Sequence, residues 1–312
     1  MGTNIRRGDS MKRASIVLVA LLMTQGAGAV AVAAPPSCFG RRATIVGRPG
    51  NNSLNGTDGS DVIVGLGGDD RIDGRGGSDF ICGGGGDDIL SGDEGRDKMD
   101  GGKGLDVVDF YYSDGGVSVD LRAGWGREPD GRETILHAEG VWGSQHHDTV
   151  YGTEATNSYK PRNGEDVFYG RGGRDFYRED GFPSDRADDT FRGGPGIDTF
   201  HSNPYTARPR TIDLRKNLVL GRGRDRIPGV ENVTGADGDD SVIGDAGPNV
   251  IIGRGGSDSI AGLRGNDRLS GGGQDGTDRL HGGAGRDTCF KGEREKSCEI
   301  DGRVRHPRWN GP

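Results

Sequence analysis

One aliphatic side chain recurs at every ninth position over the first third of the chain: Leu54, Ile63, Ile72, Ile81, Leu90, Met99 and Val108. Two glycine columns keep the same spacing, at 47, 56, 65, 74, 83, 92 and 101 and at 50, 59, 68, 77, 86, 95 and 104. The sixth place of each unit reads Asn52, Asp61, Asp70, Asp79, Asp88, Asp97 and Asp106. Six glycine-rich residues can turn a chain through backbone angles closed to a β-carbon. The three that follow predict a short strand with only its middle side chain inward. Two units then make one coil, and same-side strands stack in parallel at about 4.8 Å. The fold expected is all-β, a flattened right-handed β-solenoid.

The pattern returns over 235–290, with Asp240, Asn249, Asp258, Asp267, Asp278 and Asp287 in sixth place and two extra residues between Gly271 and His281. A looser block over 143–201 keeps Asp148, Asn157, Asp166, Asp175, Asp189 and Asp198, but has lost several glycines and gained five residues before Asp189. Its eighth column is aromatic (Tyr159, Phe168, Tyr177, Phe191, Phe200), which predicts a wider core. Between the blocks, Val117–Leu121 followed by Glu139–Gly143 parallels Thr211–Leu214 followed by Glu231–Gly235. A larger unit of solenoid plus strand-rich connector has therefore been duplicated. The chain divides into a leader (1–33), an amino-terminal cap (34–46), block 1 (47–109), a connector (110–142), block 2 (143–201), a second connector (202–234), block 3 (235–290) and a polar tail (291–312). The expected shape is one rod with two irregular waists.

Such a rod has a thin core. One inward aliphatic per unit contributes roughly 2 to 3 kcal/mol, while ordering nine residues costs on the order of 10 kcal/mol. Sixth-place carboxylates two units apart, about 5 Å from each other, would add roughly 3 kcal/mol of repulsion. A cation between them removes that repulsion. Carboxylates and glycine carbonyls, with neither cysteine nor histidine in the columns, select calcium over zinc or copper, and over magnesium, which wants a rigid octahedron.

Units such as Gly83–Ser91 resemble the hemolysin-type (RTX) calcium-binding nonapeptide. The resemblance implies a parallel β-roll with calcium ions lodged between successive same-side turns. The implied ligands are Asp61, Asp70, Asp79, Asp88, Asp97, Asp106, Asp240, Asp258, Asp267, Asp278 and Asp287. Asn52, Asp148, Asp166, Asp175, Asp189, Asp198 and Asn249 form a second rank. The backbone carbonyls of Gly65, Gly67, Gly74, Gly76, Gly83 and Gly85 would complete the shells. The chain departs from the family's toxins and proteases in showing no separate active domain.

Composition and termini narrow the role. Glycine accounts for 62 of 312 residues and only 30% are hydrophobic, yet the net charge is a modest −8. Arg6, Arg7, Lys12 and Arg13, an apolar run from Ala14 to Met23 and the ending Ala31–Val32–Ala33 read as a secretory signal, too short in its apolar run for a membrane span. A secreted chain with four cysteines favours disulfides. Of three possible pairings, nearness in sequence prefers Cys38 with Cys82 and Cys289 with Cys298. Dispersed arginines on an acidic chain give no stripe for nucleic acid. The reading is a secreted, non-enzymatic calcium binder in a structural, adhesive or surface-associated role, with cell-surface or matrix polysaccharide or protein as partner. The alternative is an enzyme acting on extracellular polysaccharide through the middle block or connectors, for which Asp120 and Glu139 offer a carboxylate pair. Their duplicates Asp213 and Glu231 argue for a structural role instead.

Overall fold

The structure is a computed structural model that describes residues 34–179, 187–221, 223–273 and 276–290, together with 294–296, 298–300 and 303–304 in the tail. The expected signal segment lies outside the described residues, as does most of the insertion before Asp189 and part of the one after Gly271. All that follows concerns the unit Pro35–Pro312.

Strands alternate between two sheets. Ile45–Val46, Val62–Val64, Phe80–Gly85 and Lys98–Lys103 pair in parallel on one; Ser53–Asn55, Arg71–Asp73, Ile89–Ser91 and Val107–Asp109 pair in parallel on the other. Each eighth-column residue sits against its equivalent one coil on, as Ile63 against Ile81 and Ile72 against Leu90. This is a parallel β-roll. Among the described residues the first sheet comprises 17 strands and the second 14. The typical strand buries only its central side chain, because the other two point outward on either side of the pleat. In block 2 that column is a stack of buried rings, with Tyr177 5.4 Å from Phe191 and 5.5 Å from Phe200. The broader rings fill the same gap between sheets that single aliphatics fill elsewhere.

The connectors do not interrupt the stack. In the second sheet Val107–Asp109 pairs directly with Gly140–Trp142, and Thr199–His201 with Asn232–Thr234. In the first sheet a three-stranded antiparallel meander is inserted each time. Lys98–Lys103 pairs with Arg132–Leu136, which pairs with Trp125–Arg127, then Ser118–Asp120, then Thr149–Tyr151. The second meander runs Arg224–Arg226, Leu218–Leu220, Thr211–Asp213 and on to Ser241–Ile243. Val117 and Val119 turn into the core, as do Ile212 and Val219, so each meander buries one face and exposes the other.

Cys38 is bonded to Cys82 and Cys289 to Cys298. The first bond draws the hairpin Ser37–Cys38 and Arg41–Arg42 onto the outer face of the first sheet, over Val62 and Val64. That contact explains why all three residues of Val62–Val64 are buried, whereas a typical strand buries its central residue alone.

Candidate functional site

Within each block sixth-place residues form two axial ladders, one on each side of the coil. The backbone N–H of each donates to a carboxylate oxygen one coil further on: Asn52 to Asp70 (2.7 Å), Asp61 to Asp79 (2.8 Å), Asp70 to Asp88 (2.8 Å), Asp79 to Asp97 (2.7 Å) and Asp88 to Asp106 (2.8 Å). The same bonds link Asp148 to Asp166, Asp166 to Asp189, Asp175 to Asp198, Asp240 to Asp258, Asn249 to Asp267, Asp258 to Asp278 and Asp267 to Asp287. The sixth place is where a turn becomes a strand, so its N–H has no ladder partner in the sheet. A carboxylate supplies one, and a hydrogen bond to a charged acceptor contributes about 1.5 to 3 kcal/mol.

The sixth column did not name the residues that accept the last ladder N–H at each waist. Glu133 accepts the N–H of Asp97, Glu139 that of Asp106 (2.9 Å), Asp225 that of Asp189 (3.1 Å) and Glu231 that of Asp198 (2.8 Å). Glu133 and Asp225 lie 36 residues on, a whole number of nine-residue steps, so the register extended through the connector would have reached them, whereas Glu139 and Glu231, 33 residues on, fall out of it. Asp120 and Glu139 are not brought together. Asp120, on the first sheet, is paired with Arg171 (3.0 Å), while Glu139 precedes a strand of the second. Asp213 is likewise held by Arg215 and Lys216. His147 accepts the Glu165 N–H (2.8 Å) and so also serves the turns.

The second carboxylate oxygen divides the turns into two kinds. In Asp61, Asp148 and Asp240 it accepts the N–H of the residue at the turn's second place: Thr57 (2.8 Å), Ser144 (2.7 Å) and Ala236 (2.7 Å). The side-chain oxygens of Asn52, Asn157 and Asn249 are occupied in the same way, by Arg48, Thr153 and Asp245. In Asp70, Asp79, Asp88, Asp97, Asp106, Asp175, Asp198, Asp258, Asp267 and Asp287 the Oδ2 atom is buried and has no partner. The cause is backbone geometry. Second-place residues of these open turns, such as Leu66 (φ 85°), Arg75 (φ 70°), Gly84 (φ 116°), Arg171 (φ 72°), Arg254 (φ 92°) and Leu263 (φ 79°), lie in the left-handed region and turn their N–H away. Each block thus begins with one coil of self-capped turns, and the open turns named above come after it.

A buried carboxylate oxygen without a donor costs about 1 to 3 kcal/mol or more, and burial accordingly drives protons onto these groups. Asp79, Asp88, Asp106 and Asp267 are pushed up to about 6, and Asp97, Asp175 and Asp258 to about 7, with neighbouring carboxylates adding to the effect. The unpartnered oxygens face backbone oxygen. A methyl group built on Gly65 would collide with Asp70 Oδ2 and stand 2.5 Å from the Gly83 carbonyl oxygen one coil on. The same holds at Gly253, with Asp258 and the Gly271 carbonyl at 2.7 Å, and at Gly262, with Asp267 and the Gly282 carbonyl at 2.7 Å. Among the described residues no three acidic, histidine or cysteine side chains gather as a metal cluster. The oxygens that meet at these turns are carboxylate and peptide carbonyl, all hard donors, which suit calcium better than metals that favour thiolate or imidazole. Gly67, Gly74, Gly76, Gly83 and Gly85 lie in these same open turns.

Gly83 tests the arrangement, since a methyl group there would strike Asp88 Oδ2 and stand 2.8 Å from the Gly101 carbonyl oxygen. Gly83→Ala is expected to cost about 1 to 3 kcal/mol through overpacking and to weaken calcium binding in the adjoining turns. Thermal melting at saturating calcium, compared with wild type, measures the first effect.

Residues 46–81, 79–108, 234–269 and 253–289 match the RTX calcium-binding nonapeptide repeat, in four copies. No curated protein matches the chain. The matched segments are those in which the open turns of blocks 1 and 3 stack coil upon coil, and through them the chain carries the calcium-binding repeats of the hemolysin-type (RTX) family.

Proposed function

We propose that this is a secreted protein whose open turns take up calcium and whose β-roll is completed by it, serving a structural, adhesive or surface-associated role toward extracellular polysaccharide or protein. The observation that carries the reading is the file of buried, unpartnered Oδ2 atoms at Asp70, Asp79, Asp88, Asp97 and Asp106, repeated at Asp258, Asp267 and Asp287. A cation between turns supplies what each lacks. Two disulfides support an oxidising compartment. No described helix is long and apolar enough to cross a membrane.

Isothermal titration with calcium tests the assignment of ligands. Asp79→Ala removes an open-turn oxygen and is expected to abolish or weaken tenfold or more the binding of at least one ion. Asp240→Ala removes a self-capped carboxylate and is expected to lower stability while leaving the number of ions unchanged. Absence of calcium binding by the wild-type chain would overturn the proposal, and equal loss of ions in both variants would overturn the division between open and closed turns.

A further inference from the structure

The outer face of the second sheet changes character along the stack. In block 1 its ninth-place residues include Asp73 and Asp109. Over the eight strands that follow, from Gly140–Trp142 to Thr288–Phe290, the residues on either side of each buried centre include no aspartate or glutamate. The corresponding places of the first sheet hold Asp100, Asp120 and Asp213. In a chain with 48 acidic and 40 basic side chains, such an absence is segregation of charge. Parallel register stacks these strands at about 4.8 Å, so they form a strip about 34 Å long.

Cations and rings stand where the acids are missing. Lys160 lies over the Trp142 ring (4.7 Å), Arg174 over Phe176 (5.4 Å) and Arg268 over Phe290 (5.3 Å). A cation held over a ring is positioned without being neutralised. Arg178 is exposed on the strand next to that of Lys160. Burial holds His201 uncharged, its pKa pushed down to about 4, and the charges of Arg178 and Arg254 add to the effect. Among the described residues no carboxylate pairs with Arg174, Arg178 or Arg268, whereas Arg162 and Arg254 at the margins are held by Asp109 and Asp237. Arginines dispersed along the sequence are thus gathered by the coil onto one face.

The strip also has apolar and hydroxyl-bearing parts. At its carboxyl-terminal end Val250, Ile252 and Phe290, each 37% or 38% exposed, line a groove of about 350 Å³ together with Arg268 and Ser270. Ser158, Asn232 and Thr234 are set among the cations on the intervening strands.

We infer that this strip binds a linear acidic polysaccharide laid across the strands, along the stack. Its carboxylate or sulfate groups meet Lys160, Arg178 and Arg268, its hydroxyls meet the serine, threonine and asparagine side chains, and the C–H face of a sugar ring rests in the groove. The inference rests on the extracellular reading above and names the chemistry of the polysaccharide partner. Two rival polymers fit less well. Each strand of the strip is already paired on both sides, so an acidic peptide finds no strand edge to extend. Single-stranded nucleic acid binds by stacking bases on open rings, and Trp142, Phe176 and Phe290 each carry a cation over the ring.

Chondroitin sulfate, a linear polymer of uronate alternating with sulfated sugar, serves as the probe, titrated calorimetrically into the full chain at millimolar calcium. Wild type is expected to bind it at least tenfold more tightly than polyglutamate or oligothymidylate of matched charge, and less tightly as salt is raised. Arg178→Glu with Arg268→Glu is expected to weaken binding tenfold or more. Arg192→Glu with Arg226→Glu makes the same change of charge on exposed residues of the first sheet, and is expected to leave the affinity within twofold of wild type. Arg178→Gln, a neutral change at an exposed site, is expected to lower affinity several-fold by itself and decides the matter if charge reversal prevents folding. The inference is overturned by a wild-type chain that ignores the probe, by equal losses in the two double variants, or by equal affinity for polyglutamate or oligothymidylate. Calcium uptake is measured on the same samples, so failure of the proposed function shows as no ion bound and failure of the strip as no polymer bound.

Discussion

Stripped of calcium, the chain is expected to give the far-ultraviolet circular dichroism of an unfolded polypeptide, and millimolar calcium is expected to bring back the strand signal. The argument rests on how little else holds a coil. Each unit contributes one buried aliphatic, worth roughly 2 to 3 kcal/mol, against an ordering cost several times larger. Sheet and ladder hydrogen bonds recover part of the difference. The open turns work against folding, because each buries a carboxylate oxygen with no donor. With a dissociation constant near 0.1 mM and about 1 mM calcium, each occupied site adds about 1.4 kcal/mol by linkage. Sites at Asp70, Asp79, Asp88, Asp97, Asp106, Asp258, Asp267 and Asp287 would together supply about 11 kcal/mol, comparable to the whole stability of a typical domain. The titration should be cooperative, since each turn lies between two neighbours. Identical spectra in chelator and in millimolar calcium would show that the roll stands without the ion.

Acid is expected to replace calcium in part. In the folded chain Asp79, Asp88, Asp106 and Asp267 titrate at about 6 and Asp97, Asp175 and Asp258 at about 7, chiefly because burial disfavours their charged forms. Their ordinary value is 3.8, so between these values the folded state holds more protons than the unfolded one. Calcium-free stability is therefore fully present below about pH 4 and is lost as pH rises through 6 to 7. A carboxyl moved from 3.8 to about 6 costs about 3 kcal/mol once both states are ionised. Calcium needs the same carboxylates ionised, so the stabilisation it confers should grow over that same interval. In calcium-free buffer a melting transition should be present at about pH 4.5, move to lower temperature at about 6 and be absent at about 7.5, and added calcium should stabilise the chain most at the highest pH. A calcium-free midpoint that rises with pH would mean that these carboxylates are stabilised by contacts other than an ion.

The parallel roll was legible in the sequence because its cause is local and repeated. A glycine in first place, an aspartate in sixth and one inward side chain in eighth are each demanded by a single turn or strand, and a nine-residue period displays them. The aromatic column of block 2 could be read for the same reason. Sixth-place identity alone did not reveal which aspartates are open. Asp61 and Asp79 occupy the same column, yet Thr57 caps the first while Arg75, at positive φ, leaves the second bare. That difference is set at the second place of the turn, where Leu66, Arg75 and Arg254 take up a conformation that their side chains disfavour. The waists needed long-range contacts most. Glu133 and Glu139 reach the ladder only because antiparallel meanders return the chain to the sheet after 36 and 33 residues. Alternation along 117–121 could announce a strand, but not its neighbours, because pairing depends on which sheet edge the preceding coil leaves open. The repeating unit and its oxygen chemistry were thus written into the chain's local order. How the units join across the waists came from the folded molecule because it depends on contacts between residues far apart in the chain, and which oxygens remain without a partner came from it because the second-place backbone angle that decides capping cannot be read from residue type.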